Sequence, residues 1–376
     1  MTNTITSDSS LSEIILKLVD TNKPFTDILI EESEKIAWYV PFGFKNIDAD
    51  VIADRAMIDE FLTMMVGKDW EARMSIKGAI DFSRPLKNCQ LRINAYYTRN
   101  KSRISIAVRK HALEAPPISS SPLSLATKRM LGFKSNGLFV VTGATGSAKT
   151  TTLASVVHYF NNQAKLNGAF KSSHIVTIEE PVEFIHERKN GIISHKNVGV
   201  DCPSFASGLR DALREKPDVI LIGEVRDRET AEVMLQAGES GHLVLATLHT
   251  SSCVSAISKI LSFFPEDEQA SVRQSLSSSL IGITSQVMLP VEDGFVVASE
   301  SLVNNNTKLS ELIGAGKISD LQAYMEKTTA DPKSDGSAET LNSQLYKLFK
   351  EGRISGELAV KSSYNPMDML EKVNPK

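Results

Sequence analysis

Cysteine is scarce in this 376-residue chain, where Cys89, Cys202 and Cys253 stand far apart without a CxxC pair. That spacing excludes a zinc knuckle and a disulfide framework, and it fits a reducing cytoplasm. Charge of one sign is lacking too: 42 basic against 45 acidic side chains leave a net charge of −3. Such a balance gives no bulk attraction for nucleic acid or anionic lipid. Neither a basic stripe nor an aromatic stacking platform stands out, so no direct nucleic-acid partner is expected. No segment approaches the roughly 18 uncharged apolar residues of a membrane span. The opening MTNTITSDSS has neither a basic n-region nor an apolar h-region. The expectation is a cytoplasmic chain without direct membrane insertion, recruited to a membrane by other proteins if it works at one.

What is present is ordinary globular composition, 23% charged and 41% hydrophobic, in a chain long enough for two cores. A single core seldom grows beyond roughly 250 residues. Leu11, Ile14, Ile15 and Leu18 recur at helical spacing, with Ser10 or Ser12 available as a cap. Leu91 to Tyr97 and Ile104 to Val108 read as strands that TRNKS can join as a hairpin. These patterns predict a small α/β domain over residues 1–112. Pro116, Pro117 and Pro122 with a serine run then disfavour helix and ladder alike, marking a linker over 113–125 that is either a plain connection or a hinge. Residues 126–376 carry continuous apolar runs at LFVVT, HIVTI, VILIG and LVLATL, the pattern of parallel strands buried on both faces. From Leu309 onward the periodicity is helical, interrupted by the polar stretch TTADPKSDGSAET.

Gly143 to Thr150, GATGSAKT, follows an apolar strand and precedes a helical pattern with Leu153, Val156, Val157 and Phe160 turned inward. Strand, glycine loop and helix form the setting in which backbone N–H groups and a helix N-terminus cradle phosphates. The reading assigns nucleotide contact to Thr145, Gly146, Ser147, Ala148, Lys149, Thr150 and Thr151, with Lys149 on the β and γ phosphates and the Thr150 hydroxyl on Mg²⁺. Position 148 departs from G-x-x-x-x-G-K-[ST], which asks for glycine there. The expectation is a near-helical backbone at Ala148, where alanine is favoured over glycine by about 0.8 to 1.0 kcal/mol.

Three further segments carry candidate chemistry. KPDVILIGEVRD holds an apolar strand ending in Glu224, either a solvated turn or a carboxylate that orders Mg²⁺ and water. IVTIEEPVEF places Glu179, Glu180 and Glu183 after another strand, carboxylates that repel unless a cation offsets them. GHLVLATLHTSS brackets a core strand with His242 and His249, either structural histidines or donors to phosphate and water.

With these motifs in order, the chain resembles the secretion ATPase superfamily of PilT, GspE and DotB, from about Arg92 to the C-terminus. The specific matches are GATGSAKTTTLA (Walker A), TIEEPVEF (Asp box), ALREKPDVILIGEVRDRET (Walker B) and AGESGHLVLATLHT (His box). The resemblance implies a PAS-like N-terminal domain, a RecA-like P-loop ATPase domain with a helical C-terminal region, and a homohexamer with ATP between subunits. It makes Glu224 the catalytic glutamate and Glu183 its Asp-box assistant. Glu180 stands where the family more often has Asp, His242 and His249 are the His-box residues, Arg92 resembles an N-terminal domain arginine, and Arg103 or Arg109 matches others that reach a neighbour's nucleotide. ATP and Mg²⁺ are the implied cofactors, and the implied partners are a membrane-bound secretion complex at the inner membrane and its other cytoplasmic ATPases. The tetracysteine element of type II assembly ATPases is absent, and LSELIGAGK stands where retraction ATPases carry AIRNLI. The closing SSYNPMDML is similar to the DotB and conjugative TraJ branch, implying a Dot/Icm-like secretion or conjugation motor.

Overall fold

The computed structural model describes residues 9–21, 25–47, 51–86, 89–162 and 173–374; the polar opening stretch 1–8 lies outside them. The chain divides into two compact units, Met1–Leu113 with Pro290–Phe295, and Glu114–Leu289 with Val296–Lys376.

The first unit runs α1 (Leu11–Val19), β1 (Asp27–Glu31), β2 (Ala37–Val40), β3 (Gly43–Asn46), α2 (Arg55–Val66), α3 (Trp70–Lys77), β4 (Ala79–Pro85), β5 (Cys89–Thr98) and β6 (Arg103–Ala112). Ser10 opens α1: its Oγ accepts from Glu13 N at 3.3 Å while Ser10 N donates to Glu13 Oε2 at 3.1 Å, a reciprocal cap. The strands form an antiparallel sheet in the order β3-β2-β1-β6-β5-β4. The β5–β6 hairpin turns through Arg99, Asn100 and Lys101, all at positive φ. Leu11, Ile14 and Ile15 of α1, Phe61 and Leu62 of α2 and Met74 of α3 share one core with Ile28, Ile93 and Ile106 of the strands.

The second unit runs α4 (Leu125–Phe133), β7 (Gly137–Gly143), α5 (Lys149–Asn162), β8 (His174–Glu179), β9 (Ile192–Asn197), α6 (Phe205–Arg214), β10 (Val219–Ile222), α7 (Arg228–Glu239), β11 (Leu243–Leu248), α8 (Cys253–Ser262) and α9 (Gln269–Ser279). It closes with β12 (Leu280–Val291) and β13 (Gly294–Val303), apart from their turn at Pro290–Phe295, which counts with the first unit, then α10 (Thr307–Gly314), α11 (Asp320–Ala330), β14 (Ala338–Glu339), α12 (Leu341–Lys350), α13 (Gly356–Ser362) and α14 (Pro366–Val373). The sheet order is β14-β13-β12-β7-β11-β10-β8-β9, parallel from β12 through β9.

The four apolar runs of the sequence become the contiguous centre of this sheet, β7-β11-β10-β8. Alternate residues supply its two faces. Phe139 and Val141 of β7 pack with Leu153, Val156, Val157 and Phe160 of α5. Leu138 and Val140 pack with residues of α6 to α9 such as Leu209, Met234, Ile257 and Leu276. Both faces are therefore covered, which is why these strands tolerate no polar alternation.

The proline-rich stretch after residue 113 packs as part of the second unit. Leu123 is buried, Ser299 Oγ donates to Pro122 O at 2.6 Å, and Lys128 Nζ donates to Ser119 O and Ser121 O. Among the described residues, no helix is long and apolar enough to cross a membrane.

Candidate functional site

The parallel strands deliver their C-terminal ends to one edge of the second unit. β7 ends at Gly143, where φ is +144° and a Cβ would lie 2.4 Å from the Gln286 carbonyl oxygen and 2.5 Å from Ser147 Oγ. Glycine alone fits this turn. Beyond it Thr145 and Gly146 are exposed, while Ser147 is buried and its Oγ has no hydrogen-bond partner. A buried hydroxyl with nothing to bond, in a loop that opens a helix whose first N–H groups lack intrahelical acceptors, suits a phosphate oxygen.

Ala148 overturns the expectation of a helical backbone. Its φ is +66°, and it stands just outside α5, its carbonyl accepting the helix-opening bond from Thr152 N at 3.0 Å. The left-handed region costs an alanine roughly 1–2 kcal/mol, so the glycine of the general motif is the better-suited residue here. Lys149, buried at the start of α5, donates through Nζ to Gly143 O at 2.9 Å and Ala144 O at 3.0 Å. Burial holds its ammonium below the ordinary lysine value, against the pull of Glu224 and Glu183. Thr150 and Thr151 are half-buried in the first turn of the same helix.

Glu224 follows β10 and is fixed by its neighbours' backbone. Gly223 N donates to Ile178 O at 2.8 Å, Val225 N donates to Thr247 O at 3.1 Å, and the Thr247 hydroxyl donates to Gly223 O. The carboxylate so held lies 2.8 Å from Arg226 Nε and 3.4 Å from His249 Nε2. Arg226 Nη1 also donates to Glu180 Oε2 at 2.8 Å. The His249 imidazole is pushed below its ordinary value by burial and then by the positive charge of Lys149. It therefore faces Glu224 as a neutral ring at pH 7. Glu179 is buried at the end of β8, and its carboxyl is pushed up to about 7, mainly by burial, with the charge of Glu183 adding to the rise.

The sequence motifs thus meet at Lys149, Glu183, Glu224 and His249, with Glu180 joined through Arg226. Arg226 is a member that the sequence reading did not single out. The available signal was its place two residues after Glu224, which in an extended segment returns a side chain to the same side.

His242 does not join them within one subunit. It precedes β11 whereas His249 follows it, so at roughly 3.3 Å per strand residue the two histidines sit about 23 Å apart. His242 Nδ1 lies 3.1 Å from Ser240 Oγ, and His242 O accepts from Gly137 N at the opposite end of the sheet. Bracketing a strand in sequence placed these residues at its two ends, because a strand is extended.

Arg92 and Arg109 belong to the first unit. They are directly opposite each other on β5 and β6, and each meets an aspartate: Arg92 Nη2 lies 2.9 Å from Asp81 Oδ2 and Arg109 Nε lies 2.8 Å from Asp27 Oδ1. Arg103 lies 3.2 Å from Glu34.

Among the described residues, no group of three or more His, Cys, Asp and Glu is arranged to hold a metal ion.

Type IV pilus ATPase PilU of Pseudomonas aeruginosa is 34% identical to this chain over 287 residues, covering 76% of this chain and 71% of PilU. The crystal structure of the pilus retraction motor PilT with bound ADP is 34% identical, with a TM-score of 0.78 over 96% of this chain and 99% of that one. The ATPase DotB of Yersinia pseudotuberculosis shares the fold, with a TM-score of 0.79 at 21% identity over 99% of this chain and 96% of DotB. The family of Type II/IV secretion system proteins matches residues 10–329, and the chain belongs to that family and to the PilT/GspE-type secretion ATPase superfamily.

Proposed function

We propose that this chain hydrolyses ATP and works as a ring-forming motor for an envelope-spanning type IV machine. The observation that carries the reading is the meeting of Lys149, Glu224 and His249 at the strand ends beside a loop whose buried Ser147 hydroxyl lacks a partner. On this reading Thr145 to Thr151 wrap the phosphates and Lys149 exchanges its two carbonyl contacts for phosphate oxygens. Mg²⁺, held in part by Thr150, supplies charge neutralisation at the β and γ phosphates when bound. Glu224 orients the attacking water, Glu183 assists, and His249 donates near the developing charge. Catalysis here is positioning and electrostatics, since phosphoryl transfer asks little covalent chemistry of the protein.

The first unit, read as PAS-like over residues 1–112, supplies Arg92 and Arg109 to the nucleotide of a neighbouring subunit in a hexamer. His242 has a role on the same terms only if a second subunit brings its end of the sheet to a site. We read the protein as cytoplasmic and held at the inner membrane by a secretion complex and its companion ATPases.

Two machines fit. The closing segment SSYNPMDML favours a Dot/Icm-like secretion or conjugation apparatus. The 34% identity to PilU and PilT favours pilus retraction. Steady-state phosphate release by the ring fraction, with Lys149→Ala as control, tests the shared ATPase reading. Restoration of pilus retraction in a strain lacking its own retraction motor separates the two machines, and failure there leaves the secretion reading standing.

A further inference from the structure

The loop between β11 and α8 carries His249 and is tied at both ends. On one side the Thr142 hydroxyl, at the end of β7, contacts Thr250 O at 3.0 Å and accepts from Thr250 N at 2.8 Å. On the other side Ser252 Oγ caps α8 by accepting from Ser255 N at 3.0 Å, and Glu300 Oε1 of β13 accepts from Cys253 N at 2.6 Å. Between these anchors stands Ser251. Its carbonyl accepts from the hydroxyl of Tyr364 at 2.7 Å, a residue 113 positions away in the joint between α13 and α14. Tyr364 is itself fixed to α12, its N–H donating to Asn342 Oδ1 at 3.0 Å.

Glu300 is the unusual neighbour. Its side chain is buried and Oε1 is committed to α8, while Oε2 makes no hydrogen bond of ordinary geometry, with the Leu341 N–H and the Tyr364 hydroxyl close to the carboxyl. Burial pushes its carboxyl up, and the Tyr364 phenol, on a residue 47% exposed overall, is pushed up too by the covering of part of its ring and by the charge of Glu300. The phenol therefore keeps its proton and remains a donor. It has one proton and two acceptors within its neighbourhood, Ser251 O and the Glu300 carboxylate.

We propose that Tyr364 is a positioning residue for His249, the C-terminal helices setting the loop through the hydroxyl of Tyr364 on the carbonyl of Ser251, with Glu300 Oε2 as the alternative acceptor that releases it. The inference rests on the ATPase reading above for its effect on turnover. It gives the C-terminal segment, the part of the sequence that the nucleotide motifs leave unexplained, a direct hand on the nucleotide site. One net hydrogen bond corresponds to a factor of roughly 5 to 10 in an equilibrium, and that sets the size of the expected effects.

The test uses the full chain with Tyr364→Phe, His249→Ala and the double variant. Phosphate release gives kcat and KM, and amide hydrogen exchange follows peptides spanning 249–253. Tyr364→Phe keeps the ring and loses only the hydroxyl. It is expected to speed exchange in 249–253 roughly 5- to 10-fold, lower kcat by a similar factor and leave KM within about twofold. In the His249→Ala background it should lower kcat by less than about twofold further, because it acts through that residue. Glu300→Gln, which retains an acceptor for Cys253 N but can turn an amide N–H toward the phenol, should leave the segment at least as protected as in the parent protein. Unchanged exchange in Tyr364→Phe, or a full undiminished loss of kcat on top of His249→Ala, overturns the proposal. If the parent protein releases no phosphate, the ATPase reading has failed and the exchange measurement alone decides the role of Tyr364.

Discussion

Arg226 and Glu224 form a close pair, Nε to Oε2 at 2.8 Å, and the same guanidinium spans to Glu180 at 2.8 Å. Arg226 is half-exposed, so as an ion pair it contributes little to stability, about 0–1 kcal/mol. Its consequence is orientation: one oxygen of Glu224 is held by Arg226 while the other faces His249. Arg226→Ala is expected to leave the melting temperature nearly unchanged, leave ATP affinity within about threefold, and lower kcat on the order of 10-fold, the scale of a misaligned polarising group. Phosphate-release kinetics beside a thermal melt check this. Full kcat in the variant would reduce the pair to a surface bridge.

Ala148 gives a prediction of definite sign. Because its φ is +66°, Ala148→Gly removes a left-handed strain of roughly 1–2 kcal/mol in the folded state, offset in part by the greater freedom of glycine in the unfolded chain. The net expectation is a gain in unfolding free energy of under about 1 kcal/mol, where a helical alanine would have shown a loss of about that size. The methyl group also stands where backbone approaches phosphate, so ATP affinity or turnover should rise. Denaturant unfolding and calorimetric titration with ATP measure the two effects, and a drop in stability would contradict the backbone geometry.

Glu179 makes stability depend on pH. Burial raises its folded-state value from 4.5 to about 7, so between those values the folded chain holds a proton that the unfolded chain has lost. Its contribution is therefore complete below about pH 4.5 and declines as pH rises, levelling off above about 7, a total on the order of 3 kcal/mol. Glu179→Gln stays neutral throughout. The stability of the parent protein relative to this variant should fall across that window, as urea unfolding at a series of pH values would reveal. A pH-independent difference would mean that the carboxylate is charged in the fold.

The centre of the fold was legible because β7, β8, β10 and β11 are buried on both faces and so leave continuous apolar runs. β12 was not. Its interior holds Thr284, Ser285 and Gln286, buried polar residues that break the run, and Gln286 earns its place by donating to Thr152 Oγ1 at 2.8 Å in α5. β9 and β14 are a short polar strand and a two-residue strand at the sheet edges, without a pattern to read. In the site, residue types were legible and geometry was not. Lys149 and Glu224 follow from motif and strand end, whereas the φ of Ala148 is imposed by the loop, the pairing of Arg226 by the extended segment after β10, and the separation of His242 from His249 by the length of β11.

Sharing of sites between subunits can be read by mixing. Arg92 and Arg109 are each paired with an aspartate in the first unit, partly buried pairs that must open before either arginine meets a phosphate on a neighbour. Mixed rings of Lys149→Ala and Arg92→Ala subunits should show turnover that varies nonlinearly with their ratio. Each variant alone should lose turnover by at least about 10-fold. Strictly proportional activity, or a monomer with full turnover, would rule against sites built from two subunits.

The most direct measurement is Glu224→Gln, assayed for ATP binding and for phosphate release in the same preparation. The amide keeps the shape and can still meet Arg226 and His249, but it cannot act as the carboxylate that orients water. The expected result is ATP affinity within about twofold of the parent protein and a kcat lower by about 10² or more. A variant that binds ATP and retains over about half of its turnover would contradict hydrolysis at Glu224.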